Sequence, residues 1–132
     1  MLVIDAGFVV AALVDAGREG TWADGLLAAD ALAAPHLMPV EVANVLRRAV
    51  ASGELSGDTA SMAHADLLAL PIDLFPYAPF AARVWELRDN VTCDDAWYVA
   101  LAEALDAPLA TLDRRLRRAT GPRCRFQVPP QR

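Results

Sequence analysis

Short apolar runs that stop at a carboxylate punctuate this chain: Met1–Ile4 ends at Asp5, and Leu109–Leu112 ends at Asp113. Two further runs, Pro71–Phe75 and Arg125–Val128, also have strand length. None shows the clean apolar–polar alternation of a half-exposed strand, and helix-length segments separate them. Strands of that kind belong in a parallel sheet covered on both faces, hence in a three-layer α/β/α domain. Ligands of such sheets gather outside the carboxyl ends of the strands. Asp5 and Asp113 are therefore expected on one and the same edge.

The intervening segments read as helices over Ala6–Val14, Thr21–Ala34, Pro39–Ala51, Ser56–Leu70, Phe80–Asn90, Asp95–Leu105 and Arg114–Thr120. Pro39 suits a first helical turn and Gly53 a stop. Ser56 is a natural N-cap, as is Thr92 or Asp94 ahead of Asp95. Gly121–Pro122 ends the short basic helix. With 132 residues and no internal repeat, low-complexity tract or linker, residues 1–132 are expected to form a single domain.

Composition narrows the chemistry. No run approaches the roughly 18 apolar residues of a membrane span. The first apolar run lacks a basic flank and is broken by Asp5, so a cytoplasmic protein without a membrane role is expected. Cys93 and Cys124 lie far apart, as do His36 and His64, which leaves no tetrahedral zinc pattern and points to reduced thiols. All 12 basic residues are arginine, against 17 acids, for a net charge of −5. Seven of those arginines fall in residues 114–132, which hold no acid. A concentrated basic end of that kind can meet a polyanion locally, or simply be a solvated helix face and tail.

Taken singly, the acids have ordinary readings. Glu41 and Asp95 each open a helix, where a carboxylate offsets the helix dipole by ~0.3–1 kcal/mol. Asp113 reads equally as a turn or N-cap residue. Asp5 is harder to dismiss, since an acid closing a core strand must be solvated, paired or liganded. Asn44 follows Glu41 by three residues and shares its helix face.

Taken in series, these segments resemble the PIN-domain ribonucleases, and among them the VapC-type toxins of bacterial toxin–antitoxin pairs. The matching stretches are Val-Ile-Asp5-Ala, Val-Glu41-Val-Ala-Asn44-Val-Leu-Arg-Arg, Val-Thr-Cys-Asp94-Asp95-Ala-Trp-Tyr-Val-Ala-Leu-Ala-Glu-Ala-Leu and Leu-Ala-Thr111-Leu-Asp113-Arg-Arg-Leu. Each is weak alone; in this order, spanning nearly the whole chain, they are specific. The resemblance implies about five parallel strands and hydrolysis of RNA phosphodiester bonds with Mg²⁺ or Mn²⁺. It places the catalytic and metal-binding acids at Asp5, Glu41, Asp95 and Asp113, with Thr111 and Asn44 supporting them. It further implies a small VapB-type antitoxin, a homodimer, inhibition of translation, and a structured RNA such as transfer RNA as target. Two departures stand out: Gly7 replaces the family's usual small hydroxyl residue, and Asp94, a further supporting candidate that could cap the helix or extend the acidic pocket, stands where the family often has no charge.

The chemistry suits these residues. A hard divalent cation acidifies water and neutralises oxyanions, and magnesium needs only a few oxygen ligands. Two carboxylates ~5 Å apart repel by roughly 3 kcal/mol at an effective dielectric near 20. Several such terms rival a small domain's whole stability of ~5–15 kcal/mol, so clustered acids call for a cation. The acids repel RNA, which makes Arg114 and Arg115 the expected phosphate contacts. Arg123–Arg132 are expected to face a partner or solvent. A phospho-acceptor receiver domain is the alternative of another class, but receivers, P-loop NTPases and haloacid-dehalogenase-type phosphatases all use a lysine, and this chain has none. A catalytically weak PIN-like protein-binding module is the remaining alternative, separable by metal-dependent RNA cleavage. Trp22, Leu26, Leu27, Val45, Trp85 and Trp97 offer apolar helical faces for partners, while Trp97 and Tyr98 read equally as core.

Overall fold

A computed structural model of the chain describes residues 1–131. Its five strands are β1 (Leu2–Ile4), β2 (Leu32–Pro35), β3 (Ile72–Phe75), β4 (Leu109–Ala110) and β5 (Phe126–Gln127). They form one sheet in the order β3-β2-β1-β4-β5, with every pair parallel. Seven α-helices among the described residues flank it in a three-layer α/β/α arrangement: α1 (Ala6–Val14), α2 (Arg18–Ala29), α3 (Met38–Ala51), α4 (Gly57–Ala69), α5 (Ala81–Leu87), α6 (Cys93–Leu105) and α7 (Arg114–Arg118). A 3₁₀ turn, Ala78–Phe80, leads into α5. No helix is long and apolar enough to cross a membrane among the described residues.

The three central strands are buried along their whole length, the reason they carry no polar alternation. Helix α6 packs across β1, β2 and β4, with Ala96, Val99, Ala100, Leu101 and Ala102 sealed from solvent. Helices α1 to α4 pack against one another as a group. Phe8 and Val9 of α1, Met38, Val42 and Leu46 of α3, and Ala60, Ala63 and Leu67 of α4 bring that group into the same core. Arg83 of α5 reaches Glu103 of α6 through two hydrogen bonds (2.8 and 3.1 Å) and also donates to the Gly121 carbonyl. Glu103 in turn accepts from the Arg123 amide, so one carboxylate ties two helices to the chain entering β5.

One expected element is overturned. The helix read over Thr21–Ala34 is α2, ending at Ala29, followed by strand β2 from Leu32. Leu32-Ala33-Ala34 has high intrinsic helix propensity. Its place between β1 and β3, where Leu32 pairs with Leu2 and Ile72, overrides that preference. The break is Asp30, whose extended backbone ends α2 and whose carboxylate binds the Met1 amino group at 2.8 Å. Other differences are in bounds: the Phe80–Asn90 helix divides into the 3₁₀ turn and α5, and Arg114–Thr120 shortens to α7. Ser56 caps α4 by accepting from the Thr59 amide at 3.1 Å, as expected. Of the apolar residues offered to partners, Trp22, Leu26, Leu27 and Trp97 pack partly buried against the core. Trp85 remains 61% exposed, with the Arg88 guanidinium 4.4 Å from its ring centre.

At Gly20, α2 runs close against the end of α1. A Cβ there would lie 1.8 Å from the Asp15 carbonyl oxygen and 2.8 Å from that of Ala11. Gly20→Ala is expected to lower the unfolding free energy by about 1–3 kcal/mol in urea titrations. Gly25→Ala on the same helix, whose Cβ would meet nothing within 4 Å, should be neutral or stabilising by up to ~1 kcal/mol.

Candidate active site

The sheet order sets the site. Strands β1, β2 and β3 proceed one way from the centre, whereas β4 and β5 are added on the other side of β1. The switch of direction lies between β1 and β4, and in parallel α/β sheets the ligand crevice lies at such a switch, outside the carboxyl ends of the strands. Ile4 pairs with Ala110, and the Asp5 amide donates to the Ala110 carbonyl at 3.4 Å. Asp5 and Thr111 therefore leave adjacent strands side by side.

Each acid enters the crevice at the start of a helix. Asp5 is the N-cap of α1, its Oδ1 accepting from the Phe8 amide at 2.9 Å. Glu41 lies in the first turn of α3, and Asp94 and Asp95 in the first turn of α6. Thr92, not Asp94, caps α6 by accepting from the Asp95 amide at 3.3 Å, leaving Asp94 exposed. Asp113 caps α7, its Oδ1 accepting from the amides of Arg115 (2.9 Å) and Leu116 (3.2 Å). Thr111, fully buried, accepts from the Asp113 amide at 2.9 Å and so fixes the turn that presents this acid.

The electrostatics connect these groups. Burial pushes the Asp5 carboxyl up to about 6; the Thr111 hydroxyl and Phe8 amide oppose that rise, and Asp95 and Glu41 add to it. Burial likewise raises Glu41, against the pull of the Tyr98 hydroxyl and with help from Asp94 and Asp95. Asp95 is raised by burial and then by Asp113 and Asp94, with Thr92 opposing. Asp5, Glu41, Asp94, Asp95 and Asp113 thus share one field, contributed by four separated stretches of chain.

Asn44 is not drawn into that field. It is exposed, and its Oδ1 meets Arg47 Nε at 3.5 Å. A residue that reads as core in the sequence also enters: Tyr98, 2% exposed as core residues are, donates its hydroxyl to Glu41 Oε1 at 2.5 Å. Its signal was the spacing, since Tyr98 follows Asp95 by three residues and shares its helix face. Arg114 donates to the Pro129 carbonyl at 2.7 Å, holding the chain after β5, while Arg115 is exposed. Arg114 and Arg18 border a cleft of about 970 Å³ that takes in Trp22 and Pro129 and that the four acids do not line. Arg132 lies outside the described residues. At Gly7 a Cβ would meet only Asp5 Oδ1, at 3.9 Å, so the flank of this carboxylate has room for a small side chain.

The donor set is entirely hard oxygen, which fits Mg²⁺ or Mn²⁺ and not a thiolate- or imidazole-seeking metal. Among the described residues no three His, Cys, Asp or Glu side chains already close into a metal cage. Magnesium does not require one, since it keeps several waters and accepts one or two carboxylates. Asp5, Glu41, Asp95 and Asp113 are the residues that would hold it.

Comparison with known proteins identifies the family and the fold. The family model described as PIN domain matches residues 2–122. Ribonuclease VapC1 of Mycobacterium tuberculosis is 44% identical over 127 residues, covering 96% of each chain. Ribonuclease VapC9 of the same organism is 37% identical over 131 residues, 99% of this chain and 100% of the relative. Among solved structures, M. tuberculosis VapC20, described as a sarcin–ricin loop cleaving toxin, superposes with a TM-score of 0.69 at 15% identity, over 89% of this chain and 94% of that one. VapBC2 from Rickettsia felis, bound to a promoter DNA fragment, gives 0.68 at 13% identity over 96% and 97%. The chain belongs to the PIN domain family, among its VapC ribonucleases.

An ordinary aspartate ionises near 3.8, whereas Asp5 in the fold ionises at about 6. The folded protein keeps that proton through a window in which the unfolded chain has lost it. Stability is therefore favoured below the window and falls as pH rises through it. At pH 7 the ionised Asp5 costs the metal-free fold roughly 3 kcal/mol. Asp5→Asn retains an N-cap oxygen. In chelator at pH 7 it should raise Tm by about 5–10 °C, with a much smaller gain at pH 4.

Proposed function

We propose that this protein hydrolyses RNA phosphodiester bonds with Mg²⁺ or Mn²⁺ and serves as the toxin of a toxin–antitoxin pair, the whole chain acting as one unit that inhibits translation in the cytoplasm. The observation that carries the reading is the shared field of Asp5, Glu41, Asp95 and Asp113 at the β1–β4 crevice. Membership among the VapC ribonucleases supports RNA as the substrate. When bound, the divalent ion lowers the pKa of water and offsets negative charge on the phosphate.

The residues divide the remaining work. Asp5 and Asp95, with the deepest positions, would anchor the ion, and Glu41 and Asp113 would complete its negative surroundings. The α1 and α7 amides hold Asp5 and Asp113 in place, and Thr111 fixes the turn before Asp113. Phosphates flanking the cut are met by the exposed guanidinium of Arg115, and by Arg114 where it borders the cleft beside α7. Arginine suits that task because its planar fork matches phosphate oxygens.

Partners follow from the neighbouring structures. The Rickettsia felis VapBC2 structure and that of FitAB on DNA support a small antitoxin for this chain also, and a homodimer is the expected assembly. VapC20 is described as cleaving the sarcin–ricin loop. A structured RNA, ribosomal or transfer, is accordingly the class of target.

Brief expression followed by mapping of new RNA ends tests the reading. The wild type should generate discrete ends, and Asp5→Asn and Asp95→Asn should reduce cleavage at least about 100-fold. Cleavage in vitro should cease in chelator and return with Mn²⁺. Ends that persist in Asp5→Asn would refute the assignment. Arg115→Ala should weaken RNA binding and reduce its salt slope by about 1.

A further inference from the structure

Glu41 differs from the other acids of the crevice in how it is held. Asp5 and Asp113 are gripped by backbone amides of their own helices. Glu41 opens α3, yet the hydrogen bond to its carboxylate comes from another helix: the hydroxyl of Tyr98 on α6, 57 residues away, at 2.5 Å from Oε1. Tyr98 is 2% exposed and lies one turn beyond Asp95, on the helix that crosses β1, β2 and β4. Its ring is thus held in the interior, and its hydroxyl is delivered to the first turn of α3.

We propose that Tyr98 is a positioning residue of the acidic site: it holds one oxygen of Glu41, leaves the other for the divalent ion, and so sets the affinity of the site for that ion. The inference rests on the metal-dependent reading above and goes beyond it by assigning a residue that touches neither ion nor RNA. The physical case is orientation. A glutamate side chain has three rotatable bonds and, among like charges, is pushed toward solvent. A single short hydrogen bond from a buried, rigid donor removes that freedom. A phenol suits the role because at neutral pH it donates a proton without adding charge.

A purely structural tyrosine would behave differently. Its loss would lower stability and leave the affinity for metal unchanged. The experiment is calorimetric titration of the RNA-free protein with Mn²⁺, for wild type, Tyr98→Phe, Glu41→Asp and the double variant. Phenylalanine preserves the buried ring, and aspartate keeps the charge while withdrawing it from the hydroxyl. Tyr98→Phe should weaken Mn²⁺ binding about 10-fold. Glu41→Asp should weaken it as well, and adding Tyr98→Phe to Glu41→Asp should cost less than 2-fold more. RNA cleavage by Tyr98→Phe should need about 10-fold more Mn²⁺ but recover a near-wild-type rate at saturation. Unchanged Mn²⁺ affinity in Tyr98→Phe would overturn the proposal, as would equal effects of that change in both backgrounds. A wild type that neither binds Mn²⁺ nor cleaves RNA would remove the functional reading itself, and the inference with it.

Discussion

Mutual repulsion among carboxylates at the carboxyl ends of β1 and β4 is the constraint to which the surrounding structure answers. Four helices, α1, α3, α6 and α7, begin at this crevice, and each brings its acid in the cap or first turn. The partial positive charge of a helix N-terminus offsets part of that repulsion. For α1, α3 and α7 the arrangement follows from the parallel sheet, since each leaves the carboxyl end of β1, β2 or β4 and begins on that edge. Helix α6 follows α5 and leads into the amino end of β4, so its start lies toward the same edge. Amide donors to Asp5 and Asp113 and the phenol donor to Glu41 add specific bonds to this general field. The residual imbalance is visible in Asp5, where burial prevails over its donors.

The basic end of the chain is less free than its charge suggests. Arg114 holds the Pro129 carbonyl, the Arg123 amide binds Glu103, and Arg125 reaches the Asp106 carbonyl at 2.9 Å. These contacts fasten the segment that carries β5, the last strand of the sheet. Exposed side chains of Arg115, Arg117 and Arg118 remain on α7, immediately after Asp113. Acidic and basic side chains thus lie next to each other along the chain, the acids at the starts of helices and the free guanidinium groups on the face of α7.

Much of this was legible before any coordinates. Apolar runs closed by Asp5 and Asp113 located the edge of the sheet because burial forbids an uncompensated charge inside a strand. Glu41 and Asp95 were not legible by themselves, since a first-turn acid looks the same on any surface helix; only the family pattern singled them out. Strand β2 escaped because Leu32-Ala33-Ala34 carries the local preference of a helix, and only pairing on both sides makes it a strand. The Tyr98–Glu41 bond joins residues 57 apart, and no local rule reaches that distance. Asn44 shows the converse: helical spacing put it on the Glu41 face, yet its amide turns to Arg47.

Gly7 leaves a notch against the flank of Asp5, where an added methyl-sized group would meet nothing else within 4 Å. Gly7 itself is exposed, so this flank of Asp5 lies outside the packed interior. The surroundings of this carboxylate can consequently change without repacking the core: a small hydroxyl at position 7 would lie beside Asp5, whereas an apolar group would shield it from solvent.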